Sequence, residues 1–490
     1  MKMQRLLNPI QNQLIATVIA AVSFFNPSTA PALVESVGSN GSNARIVQQQ
    51  GLTGKGIGIV MLSSGNARAA HEAFAVSDAE RAVINYDFTG KGAKAASHDT
   101  QVAGIITAQG GQQYPSCLGV APGACVHSAR ISDGGLSPYV IDRALNELIV
   151  NKGCRIVVTG VQIPASAAAP NGSSVWSKIY DYYAEHYDVF FANAAGNSDS
   201  TVTIFGDSYN GVTTGGLALD SAGRYRIIGS ISNPGPTLDL RRKPELTAPA
   251  QRQMIPNASG DTSWSSAGSA RGETSFSAPH TAGAAALLME RAAQTDTPYD
   301  DKSLTIKAVL VNAADPNVLD KSGKPTDPDK TLWHPQRGYG RLDAGRALKL
   351  LKAGRVRPDH PIENTAGWAY ETMGFYDRHR YTINAKKDQR LNLTVTWHRK
   401  LRRYSPVSYV EEAPRFNLQL DIKSPSGQVL FSEYDPQNNL RKAGLVLPED
   451  GLYRVEIRNR VYQKDRSYAL AFELIQPFNN NTENQSSQDH

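Results

Sequence analysis

The sequence predicts an α/β protein: a parallel sheet with helices on both faces, followed by a C-terminal antiparallel β-sandwich. The run IGIVML at residues 57–62 is apolar on both faces, which is typical of a buried parallel strand. Beyond it, strand-like and helix-like segments alternate as far as about residue 352, which favours parallel pairing. From residue 366 onward, alternating runs are separated by turns such as SPSG at 424–427, and this pattern predicts the sandwich.

A chain of 490 residues is too long for one hydrophobic core, so at least two domains are expected. The predicted division is a signal peptide at 1–32, a lead-in at 33–54, an α/β domain at 55–352, a linker at 353–365, a β-sandwich at 366–476 and a disordered polar tail at 477–490. With 40% hydrophobic and 20% charged residues, the composition is that of a soluble globular protein. The net charge of +6 drops to +4 without the leader, which is too weakly basic to indicate nucleic-acid binding.

The first 32 residues have the layout of a secretory signal peptide. Lys2 and Arg5 precede the apolar run LIATVIAAVSFF at 14–25, and small residues follow as far as Ala32. We therefore expect export, to the periplasm, the cell surface or the medium, with an uncleaved N-terminal anchor as the alternative. No later stretch is long and apolar enough to cross a bilayer.

Three cysteines allow at most one internal disulfide. Cys117 and Cys125 flank a turn-rich loop at 119–123 that can bring them together, and export favours oxidation, so they are the candidate pair. Simple buried thiols are the alternative.

The stretch GETSFSAPH at 272–280 precedes the run TAGAAALL at 281–288, which predicts a helix that begins near Ser275. A serine there lies at the positive end of the helix dipole, where free N–H groups can receive the negative charge that develops in acyl transfer. A simple N-cap is the commoner role of a serine before a helix.

The sequence of this stretch resembles the nucleophile motif of the subtilisin-like serine proteases, the subtilases (peptidase S8). Three more segments resemble motifs of that family, in the same order: HDTQVAG at 98–104, GVAPGA at 119–124 and AAGN at 194–197. The resemblance implies hydrolysis of peptide bonds, with Ser275 as nucleophile, His98 as base and Asn197 as a side-chain donor to the oxyanion.

Four departures from the family pattern concern the same site. The strand at 57–62 should end in an Asp that orients the histidine, and Ser63 stands there instead. Asp99 and Glu273 each replace a glycine of the family, and we expect both to perturb the site. Adjacent residues at a helix start point apart, so Asp99 is not expected to reach the far nitrogen of the His98 ring.

The fourth departure is in the segment that pairs with the substrate in relatives. Subtilases usually have a Ser-x-Gly segment that pairs with extended substrate, and here the segment is Gly160, Val161 and Gln162. The lead-in at 33–54 is also too short for the folded pro-segment that relatives usually carry.

The resulting expectation is an exported serine endopeptidase whose activity is weak because the orienting Asp is absent. The alternative is an inactive pseudoprotease that binds polypeptide or a surface partner. No cofactor is required, and calcium is possible but cannot be assigned to particular ligands.

The sandwich looks like the jelly-roll modules appended to many exported subtilases. Its basic run HRKLRR at 398–403 is read as a solvated loop or, less favoured, as a contact for an acidic surface.

Overall fold

The structure is a computed structural model that describes residues 32–77, 81–163, 167–198, 200–220, 222–227, 232–251, 253–267, 273–326, 331–463 and 465–476. The predicted signal peptide (all but residue 32) and the polar tail lie outside these ranges. Within them, no helix has the length and hydropathy that a membrane crossing requires.

The first domain is built on an eight-stranded sheet in the order β2-β3-β1-β4-β5-β6-β7, with β8 also paired to β6. All pairs are parallel except β6 with β7, so the predicted parallel sheet is confirmed. The strands are β1 (Gly58–Ser63), β2 (Val83–Asp87), β3 (Cys125–Arg130), β4 (Ile156–Thr159), β5 (Phe190–Ala194), β6 (Val212–Leu219), β7 (Tyr225–Ile227) and β8 (Leu246–Pro249). A separate antiparallel pair is formed by β9 (Gln253–Pro256) and β10 (Trp264–Ala267).

Helices cover both faces of this sheet, as predicted. They are α1 (Ala32–Val37), α2 (Arg45–Gln48), α3 (Ser97–Thr107), α4 (Pro138–Leu145), α5 (Val175–His186), α6 (Ala278–Ala293), α7 (Ser303–Asn312) and α8 (Ala344–Lys352). Short 3-10 turns lie at Glu72–Phe74 and Thr274–Phe276, and a π-helical turn at Asn146–Asn151 continues α4. In strand β1, Ile59 and Met61 join the core under α3 and α6, whereas Val60 and Leu62 join the core under α4 and α5. Burial on both faces explains the continuous apolar run in the sequence.

The C-terminal part is two facing sheets, which confirms the predicted sandwich. One sheet has the order β11-β13-β20-β17-β18 and the other β12-β21-β14-β19. Their strands are β11 (Pro361–Ile362), β12 (Ala366–Met373), β13 (Arg378–Ala385), β14 (Arg390–Trp397), β17 (Leu418–Lys423), β18 (Val429–Glu433), β19 (Leu440–Val446), β20 (Gly451–Asn459) and β21 (Arg466–Ile475). Strands β15 (Leu401–Ser405) and β16 (Ser408–Glu411) form a separate two-stranded sheet that contacts α5. All pairs are antiparallel except the short β11 with β13.

The sandwich packs directly on the first domain. Helix α7 lies against β14 and β21, where the Thr394 hydroxyl donates to the Asn312 side chain at 3.0 Å. Trp368 and Leu440 of the sandwich belong to the same buried cluster as α6 and α7. The apolar core of the first domain therefore extends across the domain boundary, while the interior of the sandwich forms a separate buried cluster.

The basic run at 398–403 is not a solvated loop. Arg399 is buried and forms an ion pair with Asp181 of α5, and Arg403 pairs with Asp142 of α4 at 2.7 Å. The acidic surface that this run contacts therefore belongs to the same chain, and its charges help to dock the sandwich on helices α4 and α5.

Candidate active site

Three parts of the first domain converge where parallel strands end. Strand β1 ends at Ser63, strand β5 is followed by the loop that carries Asn197, and helix α3 begins at Ser97. The carboxyl ends of parallel strands meet at one edge of a sheet, which is why segments distant in sequence meet there.

Ser275 occupies a 3-10 turn immediately before helix α6. The turn spans Thr274–Phe276 and the helix starts at Ala278, close to the predicted start. Ser275 is largely buried, and its Oγ lies 2.9 Å from Nε2 of His98. This is the distance at which a base can take a hydroxyl proton.

His98 lies in the first turn of α3 with its ring half-exposed. One ring nitrogen faces Ser275, and the ring packs at a tilt on Phe276 with 5.5 Å between centroids. The other nitrogen, Nδ1, lies 3.1 Å from Oδ1 of Asp99. A carboxylate only accepts hydrogen bonds, so it selects the tautomer with the proton on Nδ1 and leaves the Nε2 lone pair for the serine.

The contact between Asp99 and His98 corrects the expectation that Asp99 is poorly placed to reach the far nitrogen of the ring. Helix α3 begins at Ser97, so both residues lie in its first turn, and Oδ2 of Asp99 also accepts from the backbone N–H of Gly65 at 2.9 Å. The turn after β1 thus draws the carboxylate inward to the Nδ1 side of the ring. The ring therefore has a carboxyl partner, contrary to the prediction that only a hydroxyl supports it.

Ser63 stands at the end of β1, and Gly160 lies next to both its hydroxyl and the His98 ring. A methyl group placed on Gly160 would lie 3.0 Å from the Ser63 Oγ and 3.6 Å from Cε1 of His98. Ser63 is fully buried, and among the described residues its hydroxyl has no hydrogen-bond partner. The position where the family has its acid thus holds an unused hydroxyl.

Asn197 is tied to the nucleophile turn through its amide oxygen. This oxygen accepts from both the backbone N–H and the hydroxyl of Thr274, each at 2.8 Å. The adjacent Gly196 has φ +111°, which favours glycine, and its N–H donates to the Thr274 hydroxyl at 3.0 Å. With Oδ1 held in this way, the amide NH2 of Asn197 is oriented away from Thr274.

Glu273 lies next to the nucleophile, with its carboxylate partly exposed to solvent. Its Oε2 is 3.3 Å from the Ser275 Oγ and 3.8 Å from Nε2 of His98, and its side chain is 48% exposed. The carboxylate therefore competes with the imidazole for the serine hydroxyl.

The segment Gly160, Val161 and Gln162 follows β4 in an irregular conformation beside the ring. Gly160 donates its N–H to Leu62 at 2.8 Å, and Gln162 is exposed. The segment is therefore close enough to His98 to border the site, while its pairing with substrate stays a prediction.

The cysteines do not form the candidate pair. All three are free thiols, with Cys117 packed in the core and Cys125 at the start of β3. Burial raises the pKa of Cys117 to about 11 and that of Cys154 to about 12, so both remain protonated. Among the described residues, no group of His, Cys, Asp and Glu side chains is arranged to hold a metal ion.

The sequence pattern missed two features of the site: the carboxylate at Nδ1 and the two bonds from Thr274 to Asn197. The only local signal for the first is an acid directly after the histidine, and that signal is ambiguous without the position of Gly65. A serine, an imidazole and a carboxylate joined in series form the arrangement that serine hydrolases use.

Comparison with known proteins agrees with this class. The sequence profile of the subtilase family (peptidase S8) matches residues 54–340, more than half of the chain. The protein therefore belongs to the subtilase family, and the predicted resemblance is confirmed.

Solved structures similar to this chain include two maturation proteases. The prenylagaramide maturation protease PagA is 20% identical, covers 62% of this chain and 98% of its own, and has a TM-score of 0.48. The patellamide maturation protease PatA is 22% identical, covers 61% of this chain and 97% of its own, and has a TM-score of 0.46.

Proposed function

We propose that the protein is an active serine endopeptidase that hydrolyses peptide bonds. The observation that carries this proposal is the 2.9 Å contact between the Ser275 hydroxyl and Nε2 of His98. A retained nucleophile and a base at bonding distance are what covalent acyl transfer requires of the protein.

The reaction follows from the positions of these groups. The Ser275 oxygen attacks the substrate carbonyl carbon while its proton moves to Nε2 of His98. The amide NH2 of Asn197 and N–H groups of the turn that carries Ser275 stabilise the oxyanion. His98 then gives the proton to the leaving amine as the C–N bond breaks, and water hydrolyses the acyl-enzyme by the same steps in reverse.

The substrate is a polypeptide bound in extended form along Gly160, Val161 and Gln162. The family supports this class of substrate, and the position of the segment beside His98 agrees with it. We further propose that the chain is exported, on the evidence of the signal-peptide pattern at 1–32.

A pseudoprotease that binds polypeptide through the same cleft is the second candidate. Its support is the Glu273 carboxylate 3.3 Å from the nucleophile, which substrate must displace and which opposes negative charge at the oxyanion. The missing acid at position 63 was another argument for this candidate, and the Asp99 contact weakens it. The altered segment at Gln162 and the short lead-in at 33–54 also favour it.

One assay separates the two candidates. The purified full chain is treated with a fluorophosphonate probe and with fluorogenic peptides, and Ser275→Ala is compared with Ser277→Ala. Ser277 is a fully buried serine directly after the same turn whose hydroxyl has no hydrogen-bond partner among the described residues, so it is the matched control.

We expect labelling and turnover in the wild type and in Ser277→Ala, and neither in Ser275→Ala. A wild-type chain that does not label refutes the endopeptidase. If Glu273→Gly restores labelling to such a chain, then Glu273 is the group that blocks the site.

A further inference from the structure

Nδ1 of the His98 ring has a carboxylate neighbour at position 99, whereas position 63, at the end of β1, holds a serine. We infer that Asp99 is the positioning carboxylate of His98, in place of the strand-end residue at position 63. The inference rests on the proposed function, because it assigns the third member of the same catalytic system.

Two hydrogen bonds hold the Asp99 carboxylate in an orientation that lets it accept a hydrogen bond from the proton-bearing Nδ1 of His98. One carboxylate oxygen lies 3.1 Å from Nδ1 of His98 and the other accepts from the N–H of Gly65 at 2.9 Å. Its side chain is 2% exposed, so water does not compete for these bonds. Two anchors from different segments fix the plane of the carboxylate and, through it, the ring.

Gly65 leaves space for the Asp99 carboxylate because it has no side chain. A Cβ at position 65 would lie 2.7 Å from Oδ2 of Asp99, closer than real contacts allow. The absence of a side chain at 65 therefore allows the backbone N–H to approach the carboxylate.

The unused hydroxyl of Ser63 supports the same assignment. It is buried and has no hydrogen-bond partner among the described residues, so it does not bond to the ring and cannot select its tautomer. A hydroxyl also carries no charge to balance the imidazolium that forms when Ser275 loses its proton, whereas a buried carboxylate does.

The variant Asp99→Asn should change which nitrogen of the His98 ring carries the proton. The Gly65 N–H needs an acceptor, so the new amide must turn its oxygen to Gly65 and its NH2 to Nδ1. Nδ1 then becomes the acceptor and Nε2 carries the proton, and Nε2 cannot take a proton from Ser275. In other serine proteases the same change lowers kcat by about 10⁴-fold.

The experiment measures kcat and KM on one reference peptide for the full chain and five variants: Asp99→Asn, Asp99→Ala, Ser63→Asp, the double variant Asp99→Ala/Ser63→Asp, and Asp142→Asn. Asp142 is a buried aspartate on α4 that bonds Arg403 and Tyr183, and it controls for loss of stability alone. Selective 15N labelling of histidine reports which nitrogen of the His98 ring carries the proton, with the signals assigned by their loss in His98→Gln.

We expect Asp99→Asn to lower kcat by about 10³- to 10⁴-fold with KM changed less than about threefold. The ring proton should move from Nδ1 to Nε2. The double variant should recover at least about tenfold in kcat over Asp99→Ala, since it returns a carboxylate to the other position. Ser63→Asp alone should not exceed the wild type, because two buried carboxylates would compete for one N–H and repel each other.

A kcat for Asp99→Asn within about tenfold of the wild type, or an unchanged ring tautomer, overturns the inference. A double variant no better than Asp99→Ala also overturns it, since the two positions would then not be equivalent. If the wild type neither labels nor turns over substrate, the proposed function fails by itself, and the tautomer measurement still decides the role of Asp99.

Discussion

Arg399 joins the sandwich to helix α5 through a buried ion pair, and its replacement by alanine tests how much that pair contributes to stability. Its guanidinium is 2% exposed, pairs with the fully buried Asp181, donates to Gly172 at 2.9 Å and lies 4.2 Å over the Tyr209 ring. Removal of one partner of a buried pair leaves the other charge without compensation, which costs about 3–5 kcal/mol. We expect Arg399→Ala to lower the free energy of unfolding by that amount.

The assay is urea unfolding of Arg399→Ala, Asp181→Asn and the double variant. Because the lost interaction is shared, the double variant should be about 2 kcal/mol more stable than the sum of the single losses predicts. Arg402→Ala is the matched control from the same basic run, since that side chain is 70% exposed and its loss should cost less than about 0.5 kcal/mol.

Two results would refute this reasoning. One is a loss for Arg399→Ala no larger than the loss for Arg402→Ala. The other is a double variant whose loss equals the sum of the single losses, because the two side chains would then act independently.

Two further predictions concern stability at low pH and the leader. Burial lowers the pKa of His280 to about 3 from 6.5. Between these two pH values only the unfolded chain binds the proton, so the contribution of neutral His280 to stability is fully present above pH 6.5 and is lost as the pH falls toward 3. Unfolding free energies measured across pH 4–6 should rise with pH more steeply in the wild type than in His280→Gln, by about 1.4 kcal/mol per pH unit; equal slopes would contradict the prediction. N-terminal sequencing of protein recovered from outside the cytoplasm should begin near Leu33, and an intact Met1 would favour the anchor instead.

Much of the fold could be predicted because its signals are local. The apolar run of β1 indicated a strand buried on both faces, and the small-residue run after Ser275 indicated a close-packed helix. The basic run around Arg399 was misjudged because charge in a sequence does not show what lies opposite it. Asp181 is 218 residues away along the chain and is brought to Arg399 only when the domains dock.

The sequence by itself determined the parallel sheet, the sandwich, the family, and the order of His98, Asn197 and Ser275 along the chain. Each of these depends on periodicity or on motifs within a few consecutive residues. Only the tertiary structure decided which carboxylate reaches the imidazole, because that depends on where the Gly65 N–H lies relative to a side chain 34 residues later. Hydrogen bonds between distant segments form at specific positions in space, and no local pattern encodes those positions.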